Sequence, residues 1–178
     1  MNGLYELVER ARREALPFLI VGGHAVILYN VPRFTRDIDL LIPEQALASW
    51  LEFLSRFRFR IYHQTDAFVQ LEPAEPGSLP PVDLMLVDAA TWDKLTAKAE
   101  ERDSGRELRL PVPHVWHLIA MKLAASSSAQ RRAEALDWAD VLQLVKVCKI
   151  NLADPEFRRI VQQYGGEDAL ARLQKEIL

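Results

Sequence analysis

The stretch Val21-Gly22-Gly23-His24-Ala25-Val26-Ile27-Leu28-Tyr29-Asn30-Val31-Pro32-Arg33-Phe34-Thr35-Arg36-Asp37-Ile38-Asp39-Leu40-Leu41-Ile42 decides how this chain is read. Immediately before it, Phe18 to Val21 forms an apolar run of strand length. Gly22-Gly23 permits a tight turn, and Ala25 to Tyr29 has the composition of a short helix. Asp37 to Ile42 reads as a second strand that enters the core at Leu40. Residues two apart on a strand point to the same face. Asp37 and Asp39 therefore project together, roughly 6–7 Å apart along the backbone.

Two carboxylates so placed repel each other unless a cation lies between them. Hard oxygen donors suit Mg²⁺, which takes one or two carboxylates and completes its shell with water and substrate phosphates. One or two such ions would activate an attacking hydroxyl and stabilise a leaving pyrophosphate. A third carboxylate would complete the set. Asp83 is the best candidate, because it stands at the start of the apolar run Val82 to Val87, where a charge has little structural reason to be. Asp88, at the end of that run, better suits a helix cap. The backbone N–H groups of Gly22 and Gly23 suit the phosphates of a nucleotide. Thr35 and Arg36 stand where they would orient the aspartates or contact phosphates. Arg33 is balanced between phosphate contact and solvated charge. His24 reads as a packing residue beside the site.

The rest of the chain supplies the frame. Leu4, Leu7, Val8 and Ala11 recur at helical spacing over residues 3–15, and Pro17 ends that helix. Pro43 opens a further helix carrying Leu47, Trp50, Leu51 and Leu54. Residues 56–62 alternate arginine with apolar residues, which puts Phe57, Phe59 and Ile61 on one strand face and Arg56, Arg58 and Arg60 on the other. A further strand falls at 67–71, and the proline-rich stretch 73–81 is a loop. Lys98 to Arg106 is polar, and Pro111-Val112-Pro113 follows a short extended piece. From His114 onward the pattern is helical, with helices through Leu118–Ala125 and Ala135–Val145 and two shorter ones around 155–163 and 167–176. His114 and His117 share a helix face but lack a third ligand, which argues against zinc. The expected fold class is therefore α/β (α+β): a small mixed-sheet core over residues 1–95 and a mainly helical lobe over residues 96–178.

Composition bounds the alternatives. The 178 residues carry 22 basic and 25 acidic side chains, a net charge of −3, which excludes a chain that is basic throughout but not a local basic patch. The single cysteine, Cys148, excludes an intramolecular disulfide and fits a reducing, cytoplasmic setting. No uninterrupted apolar run reaches the length of a membrane span or a secretory signal, so no membrane association is expected.

The run Gly22 to Ile42 resembles the signature of the nucleotidyltransferase (polymerase-beta-like) superfamily, and more closely its bacterial AbiEii-like branch, which includes toxin components of toxin–antitoxin systems. In that superfamily a Gly-Ser or Gly-Gly turn precedes a helix, an Asp-x-Asp pair follows, and a third acidic residue comes later. By resemblance, Gly22 and Gly23 match the first element, Asp37 and Asp39 the second, and Asp83 the third. The second glycine favours the AbiEii-like branch over the aminoglycoside-modifying one. Leu118 to Ala125, then Arg131-Arg132 and Asp137-Trp138-Ala139-Asp140-Val141, resemble the later motifs. This likeness, over most of residues 18–145, implies that Lys122 reaches the nucleotide phosphates and that Asp140, with Asp137 as a rival, lies near base, ribose or acceptor. The implied reaction moves an NMP from an NTP to an acceptor hydroxyl with Mg²⁺. The acceptor is RNA, as at the tRNA 3′ end for a toxin, or a small antibiotic-type molecule. A toxin-like member would have an antitoxin protein as partner. A different class, a non-catalytic nucleotide- or protein-binding module, would have no chemical need for three carboxylates.

Overall fold

The computed structural model describes residues 2–105, 108–127 and 131–177. Arg106 and the side chains of Arg131 and Arg132 lie outside the described residues. Helix α1 (Asn2–Arg13) buries Leu4, Leu7, Val8 and Ala11, the helical stripe expected from their spacing. Strand β1 (Leu19–Ile20) leads directly into α2 (Gly22–Leu28). The helix therefore starts earlier than expected. Gly22 takes φ +57°, a left-handed conformation that glycine adopts without a Cβ penalty, so one residue makes the whole turn.

Strand β2 (Ile38–Pro43) is followed by a single 3-10 turn, Glu44–Ala46, and α3 (Leu47–Arg56). Pro43 thus closes the strand rather than opening the helix. The strands β3 (Phe59–Gln64), β4 (Phe68–Pro73) and β5 (Val82–Val87) complete a five-stranded sheet in the order β1-β2-β5-β4-β3. The pair β2–β5 is parallel and all the other pairs are antiparallel. Asp88 caps α4 (Ala89–Thr96) by accepting a 2.9 Å hydrogen bond from the Thr91 N–H, as expected of it.

The alternating arginine segment differs from its reading. Arg56 ends α3, and Arg58 takes φ +61° in the connection, so Arg60 is the only one of the three arginines inside β3. Phe59 is buried, but Ile61 is 44% exposed. The physical reason is position: β3 is the edge strand, where the alternation of faces has no second layer to bury it. A bulge also intervenes, since Ile61 pairs with Leu71 and His63 with Gln70, leaving Tyr62 as the extra residue. The polar segment after α4 contributes a strand, β6 (Glu100–Asp103), paired antiparallel with β7 (Arg109–Val112).

The helices α5 (Val115–Ser127), α6 (Arg131–Val147), α7 (Pro155–Gly165) and α8 (Glu167–Ile177) follow. Helix α5 packs against α6 and α7, and α8 against α6 and α7. The main core takes Ile38, Leu40, Ile42, Val82 and Leu84 from one face of the sheet, Trp50, Phe53 and Leu54 from α3, and Leu118, Val141 and Phe157 from the later helices. A buried hydrogen bond from the Tyr29 hydroxyl to the Pro113 carbonyl, 2.7 Å, fixes the end of α2 to the segment that introduces α5. The opposite sheet face carries Asp39 and Asp83 and then Leu19 and Leu41, which cluster with Val21 and with Leu95 of α4. No helix among the described residues is long and apolar enough to cross a membrane.

Candidate active site

Parallel pairing of β2 with β5 puts Asp39 and Asp83 in register, and antiparallel pairing of β4 with β5 puts Gln70 beside Asp83. Adjacent strands lie about 4.8 Å apart, so the three side chains form one row across the sheet face. Gln70 Nε2 donates to Asp83 Oδ2 at 2.8 Å. The other oxygen, Oδ1, is buried and has no hydrogen-bond partner. Asp37 precedes β2 and is exposed at the edge of the row.

The electrostatics follow from this crowding. Burial first, and repulsion from Asp83 second, push Asp39 up to about 6 from an ordinary value of 3.8, against the pull of Lys122 and of a hydrogen bond from the Gly23 N–H. Asp83 is also raised, mainly by burial and further by Asp37, with the Gln70 hydrogen bond opposing. Burial lowers His24, against an opposing contribution from the backbone of Asp37. Tyr62, the exposed bulged residue of the edge strand, is raised by burial and then by the charges of Asp83 and Asp37.

The two glycines are needed because of what lies over them. A Cβ on Gly22 would overlap the carboxylate of Asp39. A Cβ on Gly23 would overlap Nη1 of Arg33 and lie 2.7 Å from Oγ1 of Thr35. Asp39, Arg33 and Thr35 thus all close down on the bare start of α2.

Helices α5 and α6 contribute a buried charge network. Lys122, 7% exposed, donates to Asp137 Oδ1 at 2.8 Å and lies 2.9 Å from Asp140 Oδ2. Arg33 Nε lies 3.1 Å from Asp140 Oδ1. The last two contacts are ion pairs by distance, without the alignment of a hydrogen bond. Lys122 is also one of the charges felt by Asp39, so the network and the carboxylate row share one field.

Of the residues expected from sequence, Gly22, Gly23, Thr35, Asp37, Asp39, Asp83, Lys122 and Asp140 belong to this constellation. Arg36 does not join it: its side chain is exposed, with the guanidinium 5.9 Å from the ring of Phe34, itself 79% exposed. Arg33 occupies the inward position instead. Both Asp137 and Asp140 bind Lys122, so neither acid stands alone. Gln70 went unrecognised in the sequence. A Gln in a half-polar strand carries no local signal, and only strand register reveals its partner.

Among the described residues no three carboxylate, imidazole or thiol groups converge into a closed metal cage. The donor set nevertheless fits a hard cation shared with a substrate. Asp39 and Asp83 supply adjacent hard oxygens, and Asp83 Oδ1 has no partner in the protein. Mg²⁺ needs only one or two carboxylates when phosphates and water complete its shell.

No protein-family model matches the chain, and no curated protein matches it in sequence. Its likeness is to solved structures. The antibiotic-resistance factor ANT(2'')-Ia is 14% identical over 98% of this chain and 95% of its own, with a TM-score of 0.67. It is also known in complex with adenylyl-2''-tobramycin. The lincosamide antibiotic adenylyltransferase LnuA, bound to lincomycin, is 14% identical over 80% of this chain and 96% of its own, with a TM-score of 0.61. An antigenic nucleotidyltransferase-like protein from Paracoccidioides brasiliensis is 18% identical over 95% of this chain and 88% of its own, with a TM-score of 0.57. At these identities the likeness establishes the fold, and the chain has a nucleotidyltransferase fold.

Proposed function

We propose that this protein transfers a nucleoside monophosphate from an NTP to an acceptor hydroxyl. The observation that carries the reading is the register of Asp39 with Asp83 on a sheet face onto which the Gly22–Gly23 turn closes. The nucleotidyltransferase fold of the neighbouring structures supports it.

In this reading Asp37, Asp39 and Asp83 would hold Mg²⁺. The bound ion supplies Lewis-acid neutralisation of charge on the transferred phosphoryl group and on the leaving pyrophosphate. Asp83, with Oδ2 held still by Gln70, takes the proton of the acceptor hydroxyl. Gly22 and Gly23 leave space for the triphosphate beside Asp39, and Arg33 and Thr35 line that space. Lys122 adds positive potential near Asp39, while its ammonium is oriented by Asp137 and Asp140. Arg36, exposed beside Phe34, meets phosphate only at the rim. Positioning and charge neutralisation supply the acceleration.

The acceptor divides the reading. A small hydroxylated molecule is supported by the fold neighbours that act on antibiotics. An RNA acceptor such as the tRNA 3′ end, the AbiEii-like branch and an antitoxin partner rest on the sequence resemblance of residues 18–145. The test is incubation with labelled NTPs, Mg²⁺ and both RNA and small-molecule acceptors. Transfer by the wild type and its loss in Asp39→Ala is the expected result. Equal signal from the two proteins across the panel overturns the reading.

A further inference from the structure

The carboxylate row does not end in solvent. On β2 and β5 the next residues on the same face are Leu41 and Met85, two positions beyond Asp39 and Asp83. They form the floor of a cleft of about 390 Å³, walled by α4, α5 and α7. That volume lies in the range of small-molecule sites, roughly 300–1,000 Å³. The lining near the carboxylates is apolar: Leu41, Met85, Met121 and Ile160. Thr91, Gln163, Tyr164 and His117 bring polar groups to the lining. His117 lines the cleft, and its Nδ1 is buried without a partner.

The far rim has a definite sign. Lys94, Lys98 and Arg159 stand there against one acid, Glu156. Glu156 lies 3.6 Å from Lys98, and no carboxylate among the described residues pairs with Lys94 or Arg159. The cleft therefore has an apolar floor and two uncompensated cations on its rim, and the Asp39–Asp83 row lies two residues away from that floor along β2 and β5. From Asp83 to Val87, where the strand meets α4, the floor runs roughly 13 Å.

We propose that this cleft is the acceptor site, and that the acceptor is a small apolar molecule with its hydroxyl at one end and an anionic group at the other. The hydroxyl would lie at the Asp39–Asp83 row, the apolar body on Leu41 and Met85, and the anion between Lys94 and Arg159. A polycation is selected against, because it would place positive charge on that rim. This inference rests on the transferase reading for the word acceptor, but the binding site stands on the cleft and its charge alone.

The experiment separates the two. Anilinonaphthalene sulfonate, an apolar anion, is titrated by fluorescence into the full chain without nucleotide or metal. One equivalent is expected to bind. Ala124→Trp, an exposed position lining the cleft, should abolish that binding by filling the space. Lys94→Glu with Arg159→Glu should weaken it about tenfold while circular dichroism stays unchanged. Tobramycin, a polycation, should not displace the probe. Unchanged affinity in both variants, or displacement by tobramycin, overturns the proposal. In the transfer assay a hydroxyaryl carboxylic acid should serve as acceptor, with its KM raised and kcat kept in the charge-reversed variant. A wild type that binds the probe in the cleft but transfers no nucleotide to any acceptor defeats the transferase reading and leaves the anion site standing. Transfer without cleft-dependent probe binding does the opposite.

Discussion

Gly22 and the carboxylate of Asp39 occupy adjoining space so closely that any side chain on the first would displace the second. The glycine also holds φ +57°, which an L-residue adopts only at a cost. Gly22→Ala should therefore lower stability by about 1–3 kcal/mol in urea unfolding and abolish transfer even where the protein folds. Gly23→Ala should be milder in stability, because the first atom met is the flexible tip of Arg33 and its φ is not left-handed. Equal losses for the two variants would contradict this account.

Asp39 makes stability depend on pH in a direction opposite to that of an ion-paired carboxylate. Its folded value of about 6 lies above the ordinary 3.8, so the folded chain holds the proton more tightly than the unfolded one. The stability this confers is present below the unfolded value and is lost as pH rises through about 6. In the presence of a chelator, Asp39→Asn should melt like the wild type in acid and above it in mild alkali, by at most about 3 kcal/mol. Adding Mg²⁺ should raise the wild type alone. Thermal melts across this pH range check both statements.

Lys122 is the cation shared by two buried acids. Asp137 and Asp140 are 9% and 4% exposed. Lys122→Met leaves them facing each other and should cost about 3–5 kcal/mol, as expected when one partner of a buried charge network is removed. Adding Asp137→Asn should restore part of that loss, because Arg33 still pairs with Asp140. Chemical denaturation of the single and double variants measures it.

Gln70 sets the orientation of Asp83. Gln70→Leu removes the 2.8 Å donor, which leaves Asp83 harder to ionise and free to rotate. The Mg²⁺ concentration for half-maximal transfer should rise about tenfold, the usual scale for losing a group that orients a metal ligand. Gln70→Asn, too short to reach, should behave the same way. Stability should change little in either.

Local patterns carried much of the reading. The stripe of Leu4, Leu7, Val8 and Ala11, the apolar run Val82 to Val87 and the Asp88 cap are properties of neighbouring residues, and each is found where its spacing places it. The arginine alternation at 56–62 was misleading because alternation reports a possible strand, not its neighbours. At a sheet edge with a bulge, Ile61 is exposed instead of buried. Arg33 and Arg36 are three residues apart in similar surroundings, and nothing local says which turns inward. Contact with Gly23 and Asp140 decides it.

By itself the sequence determined the Gly-Gly turn, the two aspartates that flank the start of the second strand and the isolated acid of the fifth. Short-range sterics and side-chain periodicity suffice for these. Only the tertiary structure decided that Asp83 stands opposite Asp39, that Gln70 holds it and that Lys122 is bound by both Asp137 and Asp140. It also decided that the cleft beyond them has an apolar floor and a cationic rim. Such relations depend on strand order and helix docking, which are set by burial of the whole core and leave no trace in the spacing of the residues that meet.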